Sequence, residues 1–444
     1  MPASATQSLA DRAKKILDLN WRGAYTVPSG RLYPFQWNWD SGFIALGLAH
    51  HRAERALEEI RSMFRGQWRS GLLPHIVFHQ PNPNYFPGPE VWRTGELPDR
   101  PAGVLATGIT QPPVFAFVVE RISALPCGQT PLWREFVREI FPKILAFHRY
   151  LYTRRDPRGE GLVYVQHNWE PGTDNSPAWD APLDAIDITG MRDISRLRRD
   201  IHNADAAHRP TNANYQRYIH LVDLFADLGY RDEAIAQKCP FLVQDVLFNS
   251  LLVRSNQALV TLARQIGEPA AEIEAWNAKT IAAIETKLWD EKTGFYYAYD
   301  LRRDRPIPVM TNSGFMPLLA GAASPGRAER LARHLVESFA PGPGWRLCAS
   351  TAPGESAFDP VKYWRGPVWI QMNWLIYHGL RRYGLDDLAA RMHGEIFSLL
   401  ENTGLYENYD PRPGIPDARR GLGANKFSWS ASLALDLIHN PAPL

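Results

Sequence analysis

A chain of 444 residues with 49 Lys and Arg against 47 Asp and Glu carries a formal charge of +2, with both signs interspersed. No basic tail or stripe concentrates charge as a nucleic-acid binder does, and no apolar run approaches the roughly 20 residues that span a bilayer. The three cysteines, Cys127, Cys239 and Cys348, stand apart without a Cys-x-x-Cys pair, which argues against a disulfide framework or a zinc site.

The first segment, up to Asn20, mixes Asp11, Arg12, Lys14, Lys15 and Asp18 with apolar residues and lacks the apolar core of a signal peptide. It reads as an amphipathic helix over 7–19 of a cytoplasmic protein. Apolar periodicity predicts further helices over 41–64, 103–124, 131–153, 213–229, 244–266, 269–288, 326–338, 367–384, 386–401 and 427–438. In 213–229, for example, Tyr215, Tyr218, Ile219, Val222, Leu224 and Phe225 share one stripe, and Asp227 and Gly229 close it. Strand patterning is rare; the best candidate is Gly294–Tyr299, after the turn at Asp290–Thr293.

No Gly/Ser tract, charge block or low-complexity run interrupts this pattern, so one domain over 1–444 is expected, with loop insertions near 65–100 and 160–212. Helices joined by long irregular loops suit an all-α toroid of inner and outer rings. The absence of a fixed-period repeat disfavours the alternative, a helical solenoid. In a toroid the inner helix ends and their loops line a funnel at one face.

Four such loops, Arg31–Gly42, Gly71–Arg93, His167–Asp187 and Tyr406–Trp429, are rich in aromatics, in a chain with 15 Trp, 17 Tyr and 19 Phe. Long loops in compact domains are functional or disordered, and disordered segments are poor in aromatics. In the third, His167-Asn-Trp-Glu-Pro-Gly-Thr-Asp-Asn-Ser-Pro-Ala-Trp-Asp180 sets carboxylates against indole rings. A carboxyl beside an indole loses hydration and keeps its proton to higher pH, as a general acid must. Asp174 is the candidate; the alternative is a turn-forming aspartate before Asn175-Ser176-Pro177. In the fourth, Leu405-Tyr-Glu-Asn-Tyr-Asp-Pro411 puts Glu407 between two tyrosines. It is either a carboxylate oriented by phenols or a solvated loop glutamate. Two carboxylates far apart in sequence, both among aromatics, are what cleavage of a glycosidic bond requires.

Three ordered motifs, Trp169-Glu-Pro-Gly-Thr-Asp-Asn-Ser-Pro177, Tyr363-Trp-Arg-Gly-Pro-Val-Trp369 and Glu407-Asn-Tyr-Asp-Pro411 with Phe427-Ser-Trp429, resemble glycoside hydrolase family 63 and its trehalase-like relatives. Within it the chain is most similar to the compact bacterial group acting on glucosylglycerate and mannosylglycerate. The resemblance implies an (α/α)6 barrel and an inverting reaction with Asp174 as general acid and Glu407 as general base, their carboxyls roughly 6.5–9.5 Å apart. It further implies a sugar subsite walled by Tyr33, Trp37, Trp39 and Asp40, with His75, Tyr85 and Gln111 as polar contacts. Trp169 and Gly172 join them, and Tyr363, Trp364 and Trp369 complete the aromatic ring. Arg209 and Tyr215 match the pair that grips a glycerate carboxylate, and Gln371 is placed near the pocket by position alone.

The expected partner is a small sugar substrate, with no nucleic acid, no membrane, no metal and no organic cofactor; a homo-oligomer stays open. His50-His51 and His75/His79 lack a carboxylate at ligand spacing, and neither a phosphate-binding Gly-x-x-x-x-Gly-Lys-Ser/Thr loop nor a Gly-x-Ser-x-Gly elbow occurs. The rival activities are hydrolysis of another small α-glucoside, trehalose included, and sugar binding without catalysis.

Overall fold

The computed structural model describes residues 3–191, 193–439 and 444; Arg192, in the insertion near 160–212, lies outside the described residues. In chain order the main helices are α1 (Ala3–Asn20), α2 (Asn38–Ala49), α3 (Ala53–Arg65), α4 (Phe115–Ser123), α5 (Pro131–Arg154), α6 (Asn212–Asp227), α7 (Val246–Ile266), α8 (Ala271–Ala283), α9 (Met316–Ala320), α10 (Pro325–Glu337), α11 (Ile370–Arg382), α12 (Asp386–Asn402) and α13 (Ser428–His439). Helices α2, α4, α7, α9, α11 and α13 each pack on the next, and α13 returns to α2, closing a ring. Around it α1 packs on α13, α3 on α2, α5 on α4 and α7, α8 on α7, and α12 on α11. No described helix is long and apolar enough to cross a membrane.

Burial explains which helices form the ring. Every residue of α2 is buried, so it has no solvent face to give it a polar stripe. The ring is tight where glycine permits it: a Cβ on Gly47 would meet Ser432 Cα at 2.4 Å, and one on Gly379 would meet Leu318 Cβ at 2.9 Å. Local signals set the ends of α7. The Asp245 carboxylate accepts from Phe248 N at 2.8 Å as an N-cap, and Gly267, at φ +80°, closes the helix in the left-handed region.

A buried charge knot ties the far end of the ring. Arg121 of α4 forks onto Asp436 of α13 at 2.9 and 2.8 Å. Trp374 Nε1 of α11 donates to the same carboxylate at 3.0 Å, and His50, just past α2, lies 3.5 Å from it. Burial would raise the Asp436 pKa, but His50 and Arg121 outweigh it and hold the carboxyl below its usual range.

The strands are short: β1 (Gln36–Trp37), β2 (Ile76–Phe78), β3 (Leu105–Ala106), β4 (Val243–Gln244), β5 (Trp289–Asp290), β6 (Phe295–Tyr296), β7 (Ala298–Asp300), β8 (Arg305–Ile307), β9 (Tyr406–Tyr409) and β10 (Gly421–Asn425). They form small antiparallel sheets at the loops.

Four expectations are corrected. The helix expected over 41–64 is two, because the chain leaves the ring at His50–Arg52 and returns outside it as α3. The one expected over 103–124 begins only at Phe115: Leu105–Ala106 pairs with β2, and Pro112 and Pro113 bar a helical start before them. The segment 269–288 leaves the α-helix at Ala283 for a wider turn over Ile284–Leu288. The strand over Gly294–Tyr299 is split between β6, paired with β5, and β7, paired with β4 and β8.

Candidate active site

The loops that enter the ring helices supply the site. The run before and into α2 brings Tyr33, Trp37, Trp39 and Asp40; the loop before α4 brings Gln111; Tyr363 and Trp364 precede α11; and the hairpin β9–β10 delivers Glu407 just ahead of α13. Together with the 167–180 loop they enclose two joined chambers. The inner chamber is lined by Trp39, Asp40, Gln111, Gly172, Trp364, Glu407, Phe427 and Trp429 among others. The outer one is lined by Tyr85, Phe86, Asp200, Arg209, Tyr215 and neighbours. Tyr33, Trp37, His75, Asp174 and Tyr363 face both. Asp174 thus stands at the junction, whereas Glu407 lines only the inner chamber.

The junction residue is built to hold a proton. Burial raises the Asp174 pKa to about 7; Arg209 opposes this and the Glu407 charge reinforces it. Its main chain is fixed by Asn168 Nδ2, which donates to Asp174 O at 2.8 Å, and by Trp179 Nε1, which donates to Thr173 O at 2.8 Å. Glu407 sits on β9 with both oxygens engaged: Tyr33 donates to Oε1 at 2.7 Å and Ala424 N to Oε2 at 3.0 Å. Burial raises its pKa, while Arg209, Tyr33 and Ala424 pull it back. The Tyr363 hydroxyl meets that of Tyr33 at 3.2 Å, and it too opposes the rise in pKa of both carboxyls.

Around this pair the inner chamber is an indole box. Trp364, at φ +60°, stacks on Trp369 at 3.8 Å and 5°; Trp429 meets Trp39 edge-on at 5.9 Å. Trp369 is the rear layer of this box: it backs Trp364 and does not line either chamber. Gly172, at φ +75°, leaves room for Trp39, since a Cβ there would lie 2.6 Å from Cζ2 of that ring. Asp40 is buried and its pKa is driven well up, by burial first and by the Glu407 charge second. His75, walled by Trp37, Trp92 and Trp169, is kept neutral by burial. Gln111 Oε1 accepts from Trp39 N at 3.3 Å.

In the outer chamber Arg209 lies over the Tyr363 ring at 4.1 Å. Its Nε donates to Asp200 at 3.1 Å and its Nη1 to the Tyr33 oxygen at 3.3 Å. Arg198 forks onto the same Asp200 at 3.1 and 2.8 Å. These arginines outweigh the effect of burial and keep Asp200 ionised to lower pH than usual. Tyr215 lines this chamber too, but its hydroxyl donates to Phe86 O at 3.0 Å, so that proton is already committed. Tyr85 meets Trp37 at 5.6 Å.

The other acids of the first motif are not at the junction. Glu170 is fully buried in a fork with Arg155, and Asp180 pairs with Arg365. Gln371 is buried in α11 outside both chambers. Sequence reasoning missed Phe86, Asp200, Phe427 and Trp429 as lining residues; of these, Phe427 and Trp429 lay in a motif that pointed to the site. Among the described residues no group of three or more His, Cys, Asp or Glu could hold a metal ion.

The chain matches the family model described as the mannosylglycerate hydrolase MGH1-like glycoside hydrolase domain over residues 33–430. A mannosylglycerate hydrolase of Rubrobacter radiotolerans is 42% identical over 435 residues, covering 97% of both chains. A glucosylglycerate hydrolase of Mycolicibacterium hassiacum is 32% identical, covering 98% of both. The crystal structure of the family 63 mannosylglycerate hydrolase from Thermus thermophilus with Tris and D-glycerate superimposes with a TM-score of 0.89 at 44% identity, covering 96% of this chain and 99% of that one. By these likenesses, which run nearly end to end, the chain is a glycoside hydrolase and belongs to the mannosylglycerate hydrolase MGH1-like family, within glycoside hydrolase family 63.

Proposed function

We propose that the chain hydrolyses 2-O-α-mannosyl-D-glycerate, 2-O-α-glucosyl-D-glycerate or both to hexose and D-glycerate, with inversion at the anomeric carbon. The hexose occupies the indole-walled inner chamber, held by Asp40 and Gln111. The glycerate occupies the outer one, its carboxylate facing Arg209, with Tyr215 beside it in the chamber wall. Asp174, protonated near neutral pH, donates its proton to the bridging oxygen, and Glu407 takes a proton from the water that attacks the far side of the anomeric carbon. The single observation that carries this is the division of labour between chambers: the acid borders both, as a group serving the bond between two subsites must, and the base borders only the sugar's. The names of the relatives above supply the substrate class.

The closed ring and its helix layer fit the (α/α)6 barrel of such enzymes, folded as one domain around one continuous apolar core. Three free thiols suit the reducing cytoplasm, and the mixed surface charge suits neither nucleic acid nor a membrane. The test is a substrate screen of the purified protein with both glycerate glycosides and trehalose, following the first-formed anomer by proton NMR. Release of the β-hexose from a glycerate glycoside supports the proposal. Release of the α-hexose, or turnover of trehalose alone, rejects it.

A further inference from the structure

The fork between Arg155 and Glu170 lies behind the acid loop and touches neither chamber. Arg155 Nη1 and Nη2 reach the two Glu170 oxygens at 3.0 Å each, and both side chains are buried. A charge taken out of water this completely is costly unless every lone pair is used. Here the Glu170 lone pairs are used by backbone from two different loops. Gln166 N donates to Oε2 at 2.7 Å and Thr110 N to Oε1 at 3.2 Å.

Those two amides locate the sugar contact and the acid. Thr110 immediately precedes Gln111 of the inner chamber, and its hydroxyl donates to Leu73 O at 2.6 Å; His75 N in turn bonds Ile109 O at 2.7 Å. Gln166 opens the loop that carries Trp169, Gly172 and, through the Asn168 bond, the Asp174 carbonyl. A single carboxylate therefore fastens the acid loop to the segment that holds the sugar. The arginine end is anchored separately, by Tyr150 OH at 3.2 Å from Nε and by Asp232 at 3.7 Å.

We infer that Glu170 and Arg155 act as a positioning pair, setting the reach of the Asp174 proton to the glycosidic oxygen without touching substrate. The inference rests on Asp174 being the general acid. A misplacement of about 1 Å at a reacting group costs on the order of 100-fold in rate, and that loss falls on substrates whose leaving group needs the proton. An α-glycosyl fluoride expels fluoride with far less help from an acid, so the two substrates separate acid placement from general damage.

The experiment compares kcat on a glycerate glycoside and on the matching α-glycosyl fluoride for Glu170→Gln, Arg155→Lys and Asp174→Asn, each checked for folding by circular dichroism and melting. The expected result is a fall of about 100-fold on the glycoside, with at least a tenfold smaller fall on the fluoride, for both variants of the pair. Equal falls on both substrates overturn the inference and leave the pair a structural strut, and so does loss of folding in both variants. Asp174→Asn keeps the two ideas apart: if it also spares the fluoride, the acid assignment stands whatever the pair does. If it harms both substrates equally, the acid assignment itself fails.

Discussion

Tyr33 donates its hydroxyl proton to Glu407 Oε1 at 2.7 Å and, through its oxygen, accepts from Arg209 at 3.3 Å. One phenol therefore links the carboxylate of the inner chamber to the cation of the outer one. Its hydrogen bond stabilises the ionised Glu407, the form that the proposed general base must take. In Tyr33→Phe the Glu407 pKa rises further, so the acidic limb of the kcat/KM profile moves to higher pH. The limb is expected to move by about one to two pH units, since a hydrogen bond to a charged group contributes about 1.5–3 kcal/mol. An acidic limb that stays in place contradicts the assignment of Glu407.

Asp174, with its pKa at about 7, must be protonated to act, so activity falls as pH rises through that value. In Asp174→Asn the residual rate loses this alkaline limb and kcat drops by about 100- to 10,000-fold.

The same shift carries a cost in stability. A carboxyl whose folded pKa is raised binds more protons in the native state than in the unfolded one. Stability is thus present below the unfolded value of about 4 and lost as pH climbs towards 7. Asp174→Asn should raise Tm at pH 8, with a stabilisation on the order of 4 kcal/mol, and should give no gain at pH 4. Calorimetry at the two pH values checks this, and a gain of equal size at both rejects burial of the charged form as its cause.

Arg209 is the cation best placed for an anionic aglycone. Arg209→Ala should raise KM for glycerate glycosides by about 10- to 100-fold, the worth of a lost charged hydrogen bond, while turnover of a neutral α-mannoside or α-glucoside changes much less. Unchanged selectivity between anionic and neutral substrates would remove Arg209 from aglycone recognition.

Gly172 meets Trp39 where any side chain would intrude, and its φ of +75° lies in the region costly for other residues. Gly172→Ala should therefore displace the indole and weaken sugar binding, seen as a reduced change in tryptophan fluorescence on titration with hexose. Wild-type binding in this variant would show that the box tolerates the shift.

How far the sequence foretells this architecture depends on which side of a helix meets water. Outer helices such as α3 and α10 bury only part of their surface, and their stripe of apolar residues is plain in the sequence. Inner helices lose that stripe: α2 is buried all round and runs on into α3 without a break in pattern. The whole of α9 is buried within one turn and a half, too short and too uniform to show a period. Asp174 was legible because its neighbours are tryptophans and turn formers in one continuous motif. Glu407 was legible as a residue, but its place on a strand was not, since β9 pairs with a partner a dozen residues away through a register shift. Asp200 lies in polar loop sequence, and its place in the outer chamber comes from tertiary packing that local pattern does not encode; Phe86 lies beside Tyr85 in the aromatic loop Gly71–Arg93, where local pattern marks the loop but not which ring faces the chamber.

The knot of Arg121, Asp436, Trp374 and His50 brings together helices from the beginning, middle and end of the chain. Its partners are separated by up to hundreds of residues, so the ring cannot close until α13 docks between α2 and α11. The chain made first contributes Tyr33, Trp39 and Asp40, and the chain made last contributes Glu407 and Trp429. The wall of the inner chamber is thus assembled from the two ends of the chain, which α13 brings side by side as it packs on α2. With α13 out of its place between α2 and α11, those two halves of the chamber wall no longer meet.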